Sequence, residues 1–277
     1  MPTRSDAEGP SRPHDWTPTS GNSAPEPRDT WNQWSLPALQ PTPAIALAPQ
    51  PPRRAVRALL EVVVSSGLVT QVLLMGVLAQ VGVAPSLSIG YVATLVLLDT
   101  ALLLVLIAFF LARSGDSLTG VLLGRRRPAA EVTAGLWLTP VVFAVVIALG
   151  SAILRFAPWL HNLEQNPLEA MLKSPRDAVL FGVVVIVGGG LREEVQRAFL
   201  LTRFEQSLGG MWVGLAISSV AFGAGHLVQG HDAAIITGVL GALWGVVYKA
   251  RRSVVAPLVS HAIFDCAQIV LFRVGML

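Results

Sequence analysis

An apolar stretch over 178–201 is interrupted at its middle by a cluster of charge. The apolar run to Val187 leads into Gly188, Gly189 and Gly190, and four charges follow at once: Arg192, Glu193, Glu194 and Arg197. The sequence then turns apolar again through Ala198, Phe199, Leu200 and Leu201. A stretch of this length can span a bilayer, which takes about 20 residues. A charge at mid-bilayer costs at least about 2.5 kcal/mol on insertion scales, so the cluster needs a reason. On a helix, Glu193 and Arg197 are i,i+4 neighbours and Glu194 and Arg197 are i,i+3 neighbours, so they partly neutralise one another. Two carboxylates beside one arginine leave a carboxylate over. That surplus is the strongest pointer to a function.

Other apolar runs surround this one. The chain is 53% hydrophobic and 13% charged, with a mean hydropathy of +0.60. Soluble domains carry about 25% charged residues, so a polytopic membrane protein is expected. The runs predict an all-α bundle of about seven spans, near 58–83, 88–112, 132–154, 178–201, 210–226, 233–248 and 254–272. Pro140 marks a kink in the third. Spans five and six are rich in Gly and Ala, which lets helices approach closely. Trp159 and Trp212 are placed as interfacial aromatics. In the first two spans the formal charges are Glu61, one turn in and able to reach the interface, and Asp99, near mid-span. Asp99 reads as a helix–helix pin or as part of a polar cavity.

Residues 1–52 hold 12 of the 19 prolines and show no apolar periodicity, which predicts a disordered Pro-rich tail ahead of a transmembrane domain over 53–277. Trp16, Trp31 and Trp34 in the tail suit a short binding motif or an interfacial contact. The tail lacks the basic start and apolar core of a signal peptide. The single cysteine, Cys266, excludes an intrachain disulfide and a cysteine-based metal cage. The net charge of +3 does not indicate nucleic acid, because the basic residues sit at the ends of apolar runs. Arg53, Arg54, Arg57, Arg113, Arg125 to Arg127, Arg203, Lys249, Arg251 and Arg252 all fall on one side of a seven-span chain. The positive-inside rule makes that side cytoplasmic, with the N-terminus inside. An integral protein of a bacterial-type inner membrane is expected.

Three more polar groups lie inside the later runs. His226 ends Phe222-Gly-Ala-Gly-His226, and His261 and Asp265 are i,i+4 partners in His261-Ala-Ile-Phe-Asp265. A lone histidine in an apolar segment is more often packed than catalytic. Here two histidines, an aspartate and the glutamate pair occur on three separate helices. A hairpin turning near 205–209 puts Glu193 about 18 Å and His226 about 24 Å from the cytoplasmic turn, and His261 lies about 13 Å in from Arg252. Tilt closes such differences, so the groups can meet at one level, in a cavity expected to open toward the cytoplasm.

These motifs resemble the CAAX-protease and bacteriocin-processing (CPBP, or Abi) family of intramembrane proteases. Its pattern is a double glutamate followed by an arginine, then Phe-x-x-x-His, then His-x-x-x-Asn/Asp, on separate helices. The second and third motifs fit as they stand, and the resemblance covers 178–272. The first departs from the family spacing of Glu-Glu-x-x-x-Arg, because Arg197 comes one residue early. Aligned on the arginine, Glu193 takes the second glutamate's place and Arg192 the first. Aligned on the glutamates, Arg197 is displaced by about 100° around the helix. The water-activating carboxylate is therefore Glu193 or Glu194, with Glu193 favoured for its i,i+4 relation to Arg197.

The resemblance implies peptide-bond hydrolysis in or just below the membrane surface. A glutamate withdrawn from water can act as general base toward a water molecule. His226 would orient that water or share its proton. His261, its ring fixed by Asp265, would donate to the oxyanion, and Arg197 would keep the remaining carboxylate ionised. Glu193, His226 and His261 could also bind zinc, but the His-Glu-x-x-His helix of soluble zinc proteases is missing, so no obligatory metal or cofactor is expected. The expected partners are a peptide or protein substrate, the lipid bilayer and a further membrane protein. Two other classes compete: a non-catalytic scaffold whose polar residues pin helices, and a proton-coupled transporter using the same carboxylates as a relay. Lack of internal repeats argues against the transporter.

Overall fold

The computed structural model describes residues 52–275. The tail read over 1–52, with its three tryptophans, lies outside them up to residue 51. Every regular element among the described residues is helical. Apart from three single-turn 3-10 helices, in chain order they are α1 (Pro52–Val64), α2 (Leu68–Gln80), α3 (Ile89–Ser114), α4 (Leu118–Leu122), α5 (Pro128–Phe156), α6 (Pro175–Val185), a π-helical segment (Ile186–Glu193), α7 (Glu194–Ser207), α8 (Met211–Gly225), α9 (His231–Arg251) and α10 (Val255–Arg273).

The helix ends follow local chemistry. Ser88 accepts from the Tyr91 amide to start α3, and Pro128 opens α5 at its first turn. Ser174 and Asp177 form a reciprocal capping box at the head of α6, with Pro175 between them. Pro140 lies inside a helix that runs on unbroken from Pro128 to Phe156.

Four helices, α3, α5, α9 and α10, are long and apolar enough to cross a membrane, and α1–α2 makes a fifth if its bent halves count as one span. This differs from the seven expected. The first apolar run bends by 46° where Gly67 takes a φ of 85°. A side chain there would run into the Arg192 guanidinium, so both the conformation and the space call for glycine. The carbonyl freed at the break, that of Ser65, accepts from the Gln196 side chain at 2.7 Å. The fourth run is divided among α6, the π segment and α7. The fifth, α8, has 15 residues and rises about 22 Å, short of the roughly 30 Å of hydrocarbon.

Large side chains such as Trp137, Phe156 and Val220 stand about three-quarters exposed around the bundle. In water such a girdle would drive aggregation; against lipid it is the expected outer face. Inside, α8 and α9 form a close antiparallel hairpin, where a Cβ on Gly223 would lie 2.5 Å from the Ala234 carbonyl and 3.2 Å from Gly238 Cα. Trp159 and Trp212 are exposed, and Lys249 Nζ sits 4.7 Å from the Trp212 ring centre.

The end of the bundle that carries most of the arginines is tightly closed. Arg203 is buried and donates to Glu61 at 2.6 Å, Asp116 at 2.6 Å, Gln206, Ser114 and the Phe110 carbonyl. Glu61 is therefore a buried member of a network and does not reach the interface expected for it. Arg251 grips buried Glu131 through two bonds of 2.8 Å, and Arg252 grips Glu205 through two more at the surface. Between this end and the middle lies an apolar layer that includes Leu103, Ile107, Leu111, Phe199 and Leu201.

Candidate active site

The site is built on the π-helical segment. Its wider turns, closed by i→i+5 bonds, re-phase the helix just before the glutamates. The triple glycine lets this segment press against α10 and α3. A Cβ on Gly188 would lie 2.6 Å from Val96, one on Gly190 2.9 Å from Ala262 Cβ, and one on Gly189 2.5 Å from Asp265 Oδ2. No side chain larger than hydrogen fits there without displacing Val96 of α3, α10 or its aspartate. The close approach expected of these glycines is thus an approach to the helix that carries His261 and Asp265.

The two glutamates leave this segment in different environments. Glu194 is 2% exposed; its Oε1 accepts from Arg197 Nη1 and from His261 Nδ1, the latter at 2.9 Å. Glu193 is partly exposed, and its Oε2 lies 3.8 Å from His261 Nε2. Arg197 therefore pairs with Glu194 through the i,i+3 relation, not with Glu193 through i,i+4 as the spacing suggested. The π turn explains the change, because it rotates Glu193 away from the arginine's face.

His261 is held on every side. With Nδ1 donating to Glu194, its ring stacks on Trp244 at 3.8 Å and 18°, and Phe222 meets it edge-on at 6.3 Å. Trp244 is fixed in turn by donating Nε1–H to Ser260 Oγ at 3.4 Å. Arg197 lies over Phe222 at 4.9 Å and near Trp244 at 5.8 Å, which packs the cation among aromatic faces. Asp265 Oδ2 is 3.6 Å from His261 Nε2, beyond hydrogen-bond distance. Ring-holding, which the His261-x-x-x-Asp265 spacing assigned to Asp265, falls to Glu194 instead. Nε2 faces Glu193 and Asp265.

His226 stands slightly apart. Its Nδ1–H donates to the Phe222 carbonyl at 2.8 Å, which leaves Nε2 with a lone pair when the ring is neutral. Its ring packs on Phe222 at 4.8 Å, and through Phe222 it is linked to His261. No hydrogen bond joins His226 directly to the other five residues.

A cavity of about 540 Å³ gathers these groups. Glu193, His226, His261 and Asp265 line it; Glu194 and Arg197 do not. Its walls come from α2, α3, α5, α6, the π segment, α9 and α10, and its rim from the 157–174 connection, the α8–α9 turn and the first turn of α9. His161 bonds Asp232 at 2.6 Å and Asn166 bonds Gln229 at 3.2 Å across that rim. The site does meet at one level in the interior, but the cavity does not open at the arginine-rich end where the spacing from the turns had placed its mouth. Among the described residues, no group of three or more His, Cys, Asp or Glu side chains is arranged to hold a metal ion, and Glu193, His226 and His261 do not form one.

The partner of Asp99 and the place of Trp244 escaped the sequence. Asp99 meets Arg192 Nη2 at 2.6 Å with both side chains buried, so its partner is the first charge of the cluster, and it joins α3 to the π segment. Among the described residues, Arg192 Nε and Asp99 Oδ1 have no hydrogen-bond partner. A spare aspartate in one span and a surplus arginine in another were the signal. Trp244 carried no such signal, being one aromatic in a Gly- and Ala-rich run.

Ionisable groups of an integral membrane bundle thus converge on one internal cavity. Residues 175–267, about a third of the chain, match the family model described as type II CAAX prenyl endopeptidase Rce1-like. That segment is similar to the Rce1-like family, in line with the motifs it carries, and the family is one of membrane proteases. Neither a curated protein nor a solved structure matches the chain.

Proposed function

We propose that the protein is an intramembrane endopeptidase in which Glu193 activates water and Glu194 is structural. Support comes from one contrast: both Oε1 partners of Glu194 lock it to Arg197 and His261, whereas Glu193 faces the cavity beside His226, His261 and Asp265. Glu193 takes a proton from water as the oxygen attacks the peptide carbonyl carbon, then passes it to the leaving amine as the C–N bond breaks. His226 Nε2, the accepting nitrogen of the neutral ring, orients the water. His261 donates to the oxyanion through Nε2; since Nδ1–H is committed to Glu194, it does so as the protonated ring. Glu194 and Arg197 hold that ring in place. No step is routed through a metal.

The test is cleavage of a quenched peptide library by purified protein in detergent, beside Glu193→Gln, Glu194→Gln, His226→Ala and His261→Ala. Activity should vanish in Glu193→Gln without loss of fold, and in both histidine variants. Cleavage unchanged across all four would sink the assignment. A folded wild type that cuts nothing but retains a membrane-protein partner would turn the reading to a scaffold.

A further inference from the structure

We propose that the cavity receives its substrate from the non-cytoplasmic side of the membrane, so that the polypeptides it cuts are exported chains or the outer ends of membrane proteins. The side of entry rests on the fold and the charge at its two ends; what enters rests on the proteolytic reading.

Two independent features define the side. The first is where the mouth lies. His161, Glu164, Asn166, Glu169, Gln229 and Asp232 line the cavity at this end, from the 157–174 connection, the α8–α9 turn and the first turn of α9. Below Glu193 and His261 it is closed by Val195, Phe199 and Leu201, each 3% exposed or less, and below these by the Arg203–Glu61–Asp116 network. No residue of the arginine-rich end lines the cavity.

The second is the charge on the two ends. Arg57, Arg113, Arg125 to Arg127, Lys249, Arg251 and Arg252 crowd the closed end, held together by bonds such as Arg126 Nε to the Arg251 carbonyl and Val254 N to the Leu122 carbonyl. Among the described residues, the open end has Arg155, Lys173, Arg176 and Arg273. Lysine and arginine are retained on the cytoplasmic side of short loops, whatever acids accompany them. The closed end is therefore cytoplasmic and the mouth faces away from it. The fold does not depend on the number of spans for this result, because both features are read from the same two ends.

The experiment is labelling of single-cysteine variants of the full chain in a Cys266→Ala background. Gln165→Cys reports the rim and Ala129→Cys the closed end; both positions are exposed. A membrane-impermeant maleimide is applied to spheroplasts and to inverted vesicles of the expression host. Gln165→Cys should label in spheroplasts and lose its label in inverted vesicles, with Ala129→Cys behaving oppositely. The reverse pattern overturns the inference. Peptide cleavage measured on the same two preparations keeps the two readings apart: the expected labelling with no cleavage from either side leaves the orientation standing and removes the protease.

Discussion

The two ends of this bundle handle buried charge in opposite ways. At the closed end Arg203 spends its donors on five partners and Glu131 is gripped twice by Arg251. At the cavity Glu193 has its nearest cation-capable neighbour at 3.8 Å, Asp265 has His261 at 3.6 Å, and His226 Nε2 has none of the site residues bonded to it. A saturated network fixes helices and does nothing else. Groups with capacity left over can bind water or a substrate. The difference separates structural charge from reactive charge within one membrane domain.

The sharpest way to test that separation is to remove one charge from each end. Glu193→Gln keeps shape and removes the base, and general acid–base catalysis contributes about 10²–10⁴-fold, so kcat should fall by that order. Its thermal unfolding in detergent, followed by helical circular dichroism, should match the wild type. Arg203→Ala should do the reverse. Breaking a buried pair costs about 3–5 kcal/mol when a partner charge is stranded; here Glu61 keeps Arg57 at 2.8 Å while Asp116 loses its cation, so the unfolding midpoint should drop clearly, toward the lower end of that range. Protein that remains folded should retain its activity. A Glu193→Gln variant as unstable as Arg203→Ala would erase the distinction.

How far the sequence could foresee this depends on distance along the chain. The motifs that need only one helical turn, Phe222 to His226 and His261 to Asp265, are legible because i,i+4 spacing puts both residues on one face. The pairing inside the first motif was not, because a π turn changes the phase without any single residue announcing it. Asp99 with Arg192 joins residues 93 positions apart, and only charge balance hints at such a pair. Four or five helices meet the length of a span, against about seven apolar runs, because hydropathy alone reads through the break at Gly67, the π segment of the fourth run and the short α8. The expectation about the mouth had a similar cause. Distances from the turns fix depth, but they do not say which end of the bundle is sealed.

A middle-sized effect should come from the packing that joins the segment to α10. Gly189→Ala places a methyl 2.5 Å from Asp265 Oδ2, so the aspartate or the helix must move. Overpacking of this kind costs about 1–3 kcal/mol in stability. Activity should fall further than stability does, because the displaced oxygen faces the nitrogen of His261 that would meet the oxyanion. Full activity in a Gly189→Ala variant would mean that neither Asp265 nor the register of the π segment matters to the reaction.

The smallest effect should come from a charge pair outside the bilayer. Arg252 is the one non-glycine with positive φ among the described residues, at 54°, and its two bonds to Glu205 are 2.5 and 2.6 Å long. Good geometry does not make this pair strong, since both side chains are more than a third exposed and water competes for each bond. Exposed pairs contribute about 0–1 kcal/mol, and Glu205→Gln should therefore shift the unfolding midpoint little and leave activity intact. Any shift should shrink as salt is raised, because screening acts on solvent-exposed charges. A loss as large as that in Arg203→Ala would show that the closed end behaves as one cooperative network reaching to its surface, and the contrast with the cavity would then lie between whole ends rather than between buried and exposed groups.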